Sequence, residues 1–520
     1  MSYTLHSHQT LLQNIRECME LCQQVIEPTL GPLGMDMAIF SQHQHSNQCI
    51  SNDGATLLKT IPMESASCIL LSRISLLQDK LIGDGTTSVV IFSCELLNQA
   101  RYLIENRNIH PSLIIRGYQI ATEKCKEWLK AYVLNSNDDE SIKSLIRTSM
   151  QSKIISQYEN TFVELLFNVF KEKREQFNVH PSKEFNLFFF SSIGNDMNKT
   201  SIFNGIIIDN LSNVNHSQLV LNDVKVLMCK SEELNGTFVN RIFNTKMNLD
   251  SSEASQVDYK NIIKICDQLI EMNIGAVFNV GIGIHKVAQE YLKEKGIFCA
   301  GFLDFNNAQK LAVIANCVIT SSLKNPKSCG CISKLTVASN DSSSSIEIIQ
   351  NDKHSHPKYI WNSIRIVGPS VEICNEIHRS IHDCMSVLNI SREGPLGICP
   401  GGGATFMYLS KCIRKLSYPN NLQLILEAYA NALEIIPVVL SRNMGYDSSN
   451  VLSQLRSTTL SHMGVDSNDE GICNQLENQV IEPVQLIVSI LERSLEFNEM
   501  ILRIDENVYI KPYQSDVARK

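Results

Sequence analysis

The spacing of hydrophobic residues predicts helices at both ends of the chain. Near the N-terminus, apolar residues recur every three or four positions over about 10–28, which predicts one helix with a single buried stripe. This stripe consists of Leu12, Ile15, Met19, Cys22 and Ile26. Similar spacing predicts helices over about 64–79, 113–132, 285–295, 422–442 and 484–500. Within 422–442, Pro437 predicts a kink or a break.

Between about 185 and 365 the pattern changes to short β-like runs. These runs are 188–190, 206–208 and 224–228. Segments 275–280 and 297–302 flank a predicted helix, and this β-α-β order predicts a small α/β domain. Segments 243–258 and 339–345 are polar, and we expect a turn-rich stretch and a flexible loop there. The chain therefore has the pattern of a helical domain built from both termini, with a mixed insertion between its halves.

Composition narrows the class of protein. The chain has 520 residues, 43% of them hydrophobic and 19% charged, which is typical of a soluble globular protein of about three domains. Its net charge of −8 weighs weakly against nucleic acid as the main partner. No apolar run approaches the ~20 residues that span a bilayer. Residues 1–8 lack a signal-peptide pattern, so we expect a cytoplasmic protein.

The chain contains 17 cysteines without a regular framework. Without a signal peptide, they are interpreted as reduced thiols that mostly pack in cores. Cys18 and Cys22 are spaced i,i+4, and Cys329 and Cys331 flank one glycine. No second pair stands beside either at zinc-site spacing, so buried thiols are favoured over a metal site.

The segment Gly83-Asp84-Gly85-Thr86-Thr87-Ser88 carries the strongest chemical signal. It precedes the apolar run 89–92, which predicts a helix that begins within the segment. The first N–H groups of a helix are unpaired and attract anions such as phosphate. Asp84 would repel a phosphate, so its natural partner is a hard cation such as Mg²⁺. The plainer alternative is an Asp-Gly turn that caps a buried helix.

Three other glycine-bearing turns are consistent with backbone that approaches a ligand: 31–36, 52–54 and 401–403. Asp53 and Asp84 lie on similar turns, and a triphosphate site needs both a metal ligand and an acid that orients water. The chain has no P-loop motif, so any nucleotide site is of another type. The Gly281-Ile282-Gly283 turn lacks the third glycine of a dinucleotide site, and a simple βα turn is favoured there.

Several blocks resemble the signatures of group II chaperonins, in the same order and with similar spacing. The blocks are 29–36, 51–56, 83–88, 379–383, 400–404, 464–466, 481–483 and a closing strand-like block at 501–505. The resemblance covers essentially the whole chain. Among eukaryotic cytosolic chaperonin subunits, the chain looks most like eta, through segments 110–116, 153–157, 298–301 and 432–437.

The resemblance implies a role for each matched residue. Asp84 would bind Mg²⁺, and Asp383 would polarise the attacking water with help from Asp53. The nucleotide would contact Leu30, Gly31, Pro32, Gly54, Gly85, Thr86, Thr87, Ser88, Gly402 and Glu482. Of these, Glu482 would meet the ribose hydroxyls. The implied cofactors are ATP and Mg²⁺, with K⁺ as a further candidate.

The resemblance also implies a multi-domain α+β chaperonin fold and an assembly. Residues 1–140 and 396–520 would form a mainly helical equatorial ATP-binding domain, and 141–205 with 365–395 an intermediate domain. Residues 206–364 would form an α/β apical domain with a lid protrusion. The expected partners are other subunits of a hetero-oligomeric double ring and non-native clients of the actin and tubulin type, without nucleic acid or membrane. ATP hydrolysis would drive lid closure.

Some positions depart from the family pattern. Leu33 and Met37 stand where basic residues are usual, and Phe406 and Tyr408 replace acidic residues. Residues 65–69 and 367–369 also differ from the usual sequences. Loss of positive charge near phosphates could weaken nucleotide binding or slow turnover, but each matched acid is present. The alternative function is a chaperonin-like scaffold with weak or no hydrolysis. An unrelated phosphotransferase is disfavoured because the sequence shows no acceptor-substrate site.

Overall fold

The computed structural model divides the chain into two compact units. The terminal unit contains Met1–Phe170 and Asn375–Lys520, and the central unit contains Lys171–Cys374. The structure describes all residues except 1–2, 7–9, 41–47, 137, 180–183, 204, 212, 236–250, 322, 324–328, 341–342, 351–358, 391–395, 420, 467–470 and 511–520. The chain is mixed α and β, and it is mostly helical outside the central unit.

The described α-helices are α1 Thr10–Leu21, α2 Gly54–Thr60, α3 Ala66–Leu81, α4 Thr86–Arg107, α5 Pro111–Tyr132, α6 Asp139–Met150, α7 Glu159–Val179, α8 Ser251–Glu271, α9 Lys286–Glu294, α10 Phe305–Ala315, α11 Val371–Asn389, α12 Ala404–Arg414, α13 Asn421–Leu433, α14 Ile435–Asn443, α15 Ser448–Ser457 and α16 Val484–Leu502. The helices predicted from hydrophobic spacing are confirmed. Helix α1 continues as a π-turn over Cys22–Ile26 and a 3₁₀ turn over Glu27–Thr29, as expected for the predicted end near residue 28.

The described strands are β1 Tyr3–His6, β2 Met37–Phe40, β3 Gln48–Ser51, β4 Leu134–Ser136, β5 Glu184–Ile193, β6 Ser201–Phe203, β7 Gly205–Leu211, β8 Gln218–Cys229, β9 Ala276–Val280, β10 Phe298–Leu303, β11 Gly330–Asn340, β12 Ser343–Gln350, β13 Tyr359–Gly368, β14 Leu396–Pro400, β15 Met463–Val465, β16 Ile472–Asn474, β17 Ile481–Pro483 and β18 Asn507–Ile510. The β-like runs predicted at 188–190, 206–208 and 224–228 lie in β5, β7 and β8.

A large buried core packs helices α1–α5 against α12–α16 in the terminal unit. Helix α4 packs against α3, α13 and α16, so its apolar residues are buried on nearly every side. The rings of Phe92 and Tyr118 both meet Tyr429 edge-on, with centroids 5.8 and 5.5 Å apart. Thr122 forms a 2.9 Å hydrogen bond with the hydroxyl of Tyr429. This packing fixes α4 and therefore also its N-terminus.

Helices α13 and α14 meet at Glu434 rather than at Pro437. Pro437 is the third residue of α14, where its missing N–H is tolerated because the first helical N–H groups have no intrahelical partner. The 23 residues Asn421–Asn443 are long and apolar enough to cross a membrane, contrary to the expectation from sequence. However, 72% of their apolar window is buried in the unit. This burial, and the ion pairs of Glu434 with Arg414 and Arg456, are typical of core helices.

The central unit is built on a six-stranded sheet in the order β10-β9-β8-β11-β12-β7. Strands β8, β9 and β10 run parallel, while β11, β12 and β7 pair antiparallel. Helices α8 and α9 cover one face through Cys266 and Leu292, and α10 covers the other through Leu311. The predicted β-α-β unit is confirmed as β9, α9 and β10. Gly281 begins its βα turn with a φ of 67°.

Three further sequence predictions fail in the described residues. Residues 251–258 belong to α8 instead of a turn-rich stretch, and 243–250 lie outside the described residues. Residues 339–340 and 343–345 belong to β11 and β12, whose antiparallel pairing satisfies their backbone, so these five residues are not in a flexible loop, and 341–342 lie outside the described residues. Ile501 and Leu502 end α16, and the closing strand begins only at Asn507, where it pairs with β1.

Candidate functional site

The terminal unit contains a cavity of about 270 Å³ that is lined by residues of the matched blocks. Of the predicted site residues, all except Gly54 line it. The lining residues among them are Leu30, Gly31, Pro32, Asp53, Asp84, Gly85, Thr86, Thr87, Ser88, Asp383, Gly402 and Glu482. Segments far apart in sequence thus converge on one cavity.

The start of α4 faces this cavity with its backbone N–H groups uncapped. Gly85 is the residue before the helix, at a φ of 72°, and no side chain caps this end. A side chain at Gly85 would collide with Leu486, since a Cβ there would lie 2.7 Å from its Cδ1. Helix α4 has 22 residues, so its N-terminus carries the full partial positive charge of a long helix. This end suits an anion.

Asp53 links the start of α2 to the start of α4 through hydrogen bonds. One carboxylate oxygen accepts hydrogen bonds from the N–H and hydroxyl of Thr56, at 2.8 and 2.6 Å. The other accepts from the hydroxyl of Thr86 at 2.8 Å. Gly54 lies behind this contact, and a Cβ there would lie 3.0 Å from the backbone nitrogen of Thr87. Gly54 therefore permits the close approach of the two helix ends instead of lining the cavity.

The carboxylate of Asp84 has an oxygen that could bind a metal ion. Its Oδ1 accepts a 2.7 Å hydrogen bond from the Gly85 N–H, and among the described residues Oδ2 meets no donor. Burial raises the pKa of this carboxyl, although Lys153 and the Gly85 N–H act in the opposite direction. Gln78 holds the backbone carbonyl of Asp84 at 2.9 Å and is itself held by Ser489. A positioned carboxylate that protein groups only partly stabilise is suited to a cation.

Asp383 and Lys153 form a buried ion pair. Lys153 Nζ lies 2.7 Å from Asp383 Oδ2, and the two side chains are only 13% and 8% exposed. Burial works against charge on Asp383, but Lys153 and His382 outweigh it and lower the pKa of the carboxyl. The Nδ1 atom of His382 is 3.7 Å from the other oxygen, and this contact chiefly raises the pKa of His382. Asp383 is therefore an ionised acid beside a cation.

The 29–34 turn is held against α14. Asn443 donates hydrogen bonds of 2.8 Å to the carbonyls of Glu27 and Leu30. Gly31 has a φ of 91°, and a Cβ there would lie 2.6 Å from Cδ2 of Leu440. Pro32 follows in the cavity wall. Only glycine fits at position 31 without strain or collision.

Gly402 and Glu482 line another part of the cavity. Gly402 accepts a 2.9 Å hydrogen bond from the Val465 N–H, and a Cβ at Gly402 would lie 2.7 Å from Gln475. Glu482 lies on β17, which pairs with β14. Burial, and secondarily the charge of Asp84, raises the pKa of Glu482 to about 8. Glu482 is therefore mostly protonated at neutral pH and can donate as well as accept a hydrogen bond.

The raised pKa of Glu482 predicts how folding stability depends on pH. Between pH 4.5 and about 8, the folded chain holds a proton that the unfolded chain releases, so this group reduces stability as pH rises. We expect Glu482→Gln to remove the loss of folding stability that Glu482 causes as pH rises. Chemical denaturation of the wild-type chain and the variant at pH 5.5 and 8.5 measures this loss. Equal losses of stability between the two pH values in both chains would contradict the raised pKa.

Comparison with known proteins identifies the family. The model of the TCP-1/cpn60 chaperonin family matches residues 22–512. The chain belongs to the TCP-1/cpn60 chaperonin family. It is 29% identical to T-complex protein 1 subunit beta of Saccharomyces cerevisiae, over 94% of this chain and 93% of that protein. It is 25% identical to the mouse protein of that name and 28% to thermosome subunit alpha of Thermoplasma acidophilum, with coverage of 91% or more.

Membership gives the general function. Chaperonins are ATP-binding subunits of oligomeric rings that fold proteins, and members of the family are ATPases. The chain has the chaperonin family fold. It is a group II chaperonin subunit, similar to T-complex and thermosome subunits. The relatives named above are beta and thermosome subunits, and they do not support the more specific expectation of eta.

The chaperonin cavity contains polar residues that the sequence blocks did not identify. Lys153 is the most important, because it supplies a buried cation beside the acids. The other polar lining residues outside the matched blocks include Thr148, Gln151, Ser152, Gln475 and Asn478. In the sequence, Lys153 belongs only to a segment that resembles the family, because a single lysine between two helices carries no sequence signal of its own. Asp79 also lies near this acid cluster, and burial followed by the charges of Asp53 and Asp383 raises its pKa.

Leu33 and Met37, which replace basic residues, do not leave the cavity without positive charge. Leu33 is 55% exposed and does not line the cavity, whereas Lys153 does. Phe406 replaces an acidic residue and is buried in the core with one face on the cavity. The departures therefore change the surroundings of the site more than its charged residues.

Proposed function

We propose that this chaperonin chain binds Mg·ATP in the cavity of the terminal unit and hydrolyses it. Family membership supports an ATPase. The single observation that carries the proposal for this chain is the convergence of Asp84, Asp383 and Lys153 on the uncapped start of α4. Two acids, one cation and a helix N-terminus meet the requirements of phosphoryl transfer to water.

The phosphates would lie against the start of α4 and the 29–34 turn. The N–H groups of Thr86, Thr87 and Ser88 would donate to phosphate oxygens, together with the Thr87 and Ser88 hydroxyls. Leu30, Gly31 and Pro32 would approach through their backbone. Gly85 and Gly54 would allow the phosphates to come close to the backbone. Gly54 does so indirectly, because it lets the starts of α2 and α4 lie against each other. The nucleoside would lie between Gly402 and Glu482. The protonated carboxyl group of Glu482 can form hydrogen bonds with the ribose hydroxyls.

The residues at Asp84 fit a hard cation. Among the described residues, no group of three or more His, Cys, Asp or Glu could hold a metal alone, so Asp84 would share the ion with phosphate and water oxygens. Bound Mg²⁺ would neutralise charge that develops on the phosphates. K⁺ stays a further candidate without a specific set of ligands.

Asp84→Asn tests the metal proposal. The change keeps the Gly85 hydrogen bond to Oδ1 but removes the charge, so we expect Mg·ATP to bind about 10–100-fold more weakly. Titration calorimetry of the full chain, with and without Mg²⁺, measures this. Asp505→Asn is the matched control, because Asp505 is exposed outside the cavity. Unchanged, Mg²⁺-dependent affinity in Asp84→Asn would contradict the proposal.

Asp383 would orient and polarise the attacking water. Its lowered pKa keeps it ionised, and Lys153 holds one of its oxygens while the other remains toward His382. Asp53 would act mainly through position, because three hydrogen bonds already engage its carboxylate. Lys153 would neutralise charge near the phosphates when the nucleotide is bound.

The assembly and its clients extend this proposal. The chain would join other subunits in a hetero-oligomeric double ring in the cytoplasm and enclose non-native proteins such as actin- and tubulin-type clients, with hydrolysis driving closure of a lid. The proposed equatorial domain is 1–140 and 396–520, the intermediate domain 141–205 and 365–395, and the apical domain 206–364. The eta identity stays a prediction. Native mass measurement tests the proposed double ring, and a lone monomer would contradict it.

A further inference from the structure

Four buried cysteines form a cluster beneath the surface of the terminal unit. They are Cys18 on α1, Cys22 in the π-turn, Cys68 on α3 and Cys94 on α4. The thiol of Cys18 interacts with that of Cys68, and the thiol of Cys22 with that of Cys94. Cys94 also donates to the backbone carbonyl of Cys18 at 3.5 Å. The cluster is therefore two thiol pairs that touch each other.

The two pairs have different surroundings. Cys68 is the third residue of α3, a helix of 16 residues, so its sulfur lies where the helix dipole favours negative charge. The interaction with Cys18 lowers the pKa of the Cys68 thiol, against burial and the charge of Glu17, whose carboxylate accepts a hydrogen bond from the Ser65 hydroxyl. Cys94 lies within α4, and burial raises the pKa of its thiol.

Access also differs between the pairs. Cys68 keeps 8% of its surface exposed, and its neighbours Ala66 and Ile69 are exposed. Cys18, Cys22 and Cys94 are at most 1% exposed. A small oxidant can therefore reach Cys68 at the start of α3 more readily than the other three sulfurs. Among the described residues, no group of these cysteines has the geometry of a metal site.

We propose that Cys68 and Cys18 form a peroxide-sensitive dithiol, with Cys68 as the attacking thiol and Cys18 as the resolving thiol. The Cys68 thiolate attacks one oxygen of hydrogen peroxide, the O–O bond breaks, and the departing hydroxide takes a proton to become water. The Cys18 sulfur then attacks the resulting sulfenic acid of Cys68, and a second water leaves with the Cys18 proton. Two thiols thus lose two electrons and one peroxide becomes two waters.

The disulfide would tie α1 to α3. Gln78 near the end of α3 holds the backbone of Asp84, and the turn that follows α1 leads to Gly31. Oxidation would therefore constrain two elements that reach the cavity, although the dithiol chemistry itself does not depend on nucleotide binding.

Peptide mapping tests the pairing in the full-length folded chain. After treatment with hydrogen peroxide and blocking of remaining thiols, trypsin releases peptide 60–73, which contains Cys68, and peptide 17–59, which contains Cys18, Cys22 and Cys49. We expect these two peptides joined by a disulfide. The link should vanish in Cys68→Ser and in Cys18→Ser but persist in Cys22→Ser, the matched control. A link that persists in Cys18→Ser, or no link in the wild-type chain, would overturn the proposal.

A second measurement needs no variant, so a folding defect cannot obscure it. In the native wild-type chain at neutral pH, we expect a small alkylating reagent to modify Cys68 about ten-fold or more faster than Cys94. Mass spectrometry of the two peptides over time gives both rates. A Cys68 rate equal to or below that of Cys94 would overturn its role as the attacking thiol.

Discussion

Asp383→Asn should reduce ATP hydrolysis by the full-length chain by about 10²–10⁴-fold, the usual contribution of a positioned acid or base. Asparagine has the same shape and can still accept the Lys153 hydrogen bond through Oδ1, but it cannot polarise water as an anion does. Release of labelled phosphate from ATP under single-turnover conditions measures the rate. We expect Mg·ATP to bind nearly as well as in the wild-type chain, because Asp383 would act on the water.

The matched control for this variant is Asp505→Asn, which makes the same chemical change at an exposed acid outside the cavity. Its hydrolysis rate should equal that of the wild-type chain. A rate for Asp383→Asn within two-fold of the wild type would contradict the assigned role, whereas loss of both binding and hydrolysis would indicate a role in holding the nucleotide.

Lys153→Met should destabilise the terminal unit by roughly 3–5 kcal/mol, because it leaves Asp383 buried without its partner. Both side chains are less than one-seventh exposed, so solvent screens the pair only weakly. Chemical denaturation at pH 7 measures the loss. The double variant Lys153→Met/Asp383→Asn should recover most of it, since no uncompensated charge then stays buried. Equal stability of the single and double variants would contradict this coupling.

The pH dependence gives an independent check on the same pair. The folded pKa of Asp383 is lowered, so its contribution to stability is present above its unfolded pKa and is lost as pH falls through the folded pKa. Without Lys153 that pKa should rise. The stability difference between the wild type and Lys153→Met should therefore shrink as the pH is lowered below about 4.

The helices were predictable because each carries a long apolar stripe that must be buried. The hydrophobic period placed α3, α5 and α16 within a few residues, since packing of one face determines them. The polar segments were harder. Residues 251–258 and 343–345 adopt regular structure although their sequence has no apolar stripe, because hydrogen bonding within α8 and to β11 satisfies their backbone. These hydrogen bonds join residues that are close in sequence, so neither segment needs an apolar stripe to adopt regular structure.

The candidate site was predictable where the backbone itself is special. Glycines at 31, 85 and 402 adopt positive φ angles, and a side chain at each would collide with a neighbour. These constraints require glycine, so the positions can be recognised from the sequence. Lys153 cannot be recognised in this way, because its importance arises only when folding places it 2.7 Å from Asp383, 230 residues away. Gly54 shows the opposite case, since its place in a matched block reflects helix packing and not a place in the cavity wall.

Hydrolysis at this position within the assembly is the most direct test of the central proposal. The assembly is incubated with 8-azido-ATP that carries label on either the α- or the γ-phosphate, irradiated, and the label on this chain alone is measured. We predict that the wild-type chain retains the α-label and loses the γ-label, whereas Asp383→Asn retains both. Failure of this chain to take up α-label, or retention of the γ-label by the wild-type chain, would contradict the account.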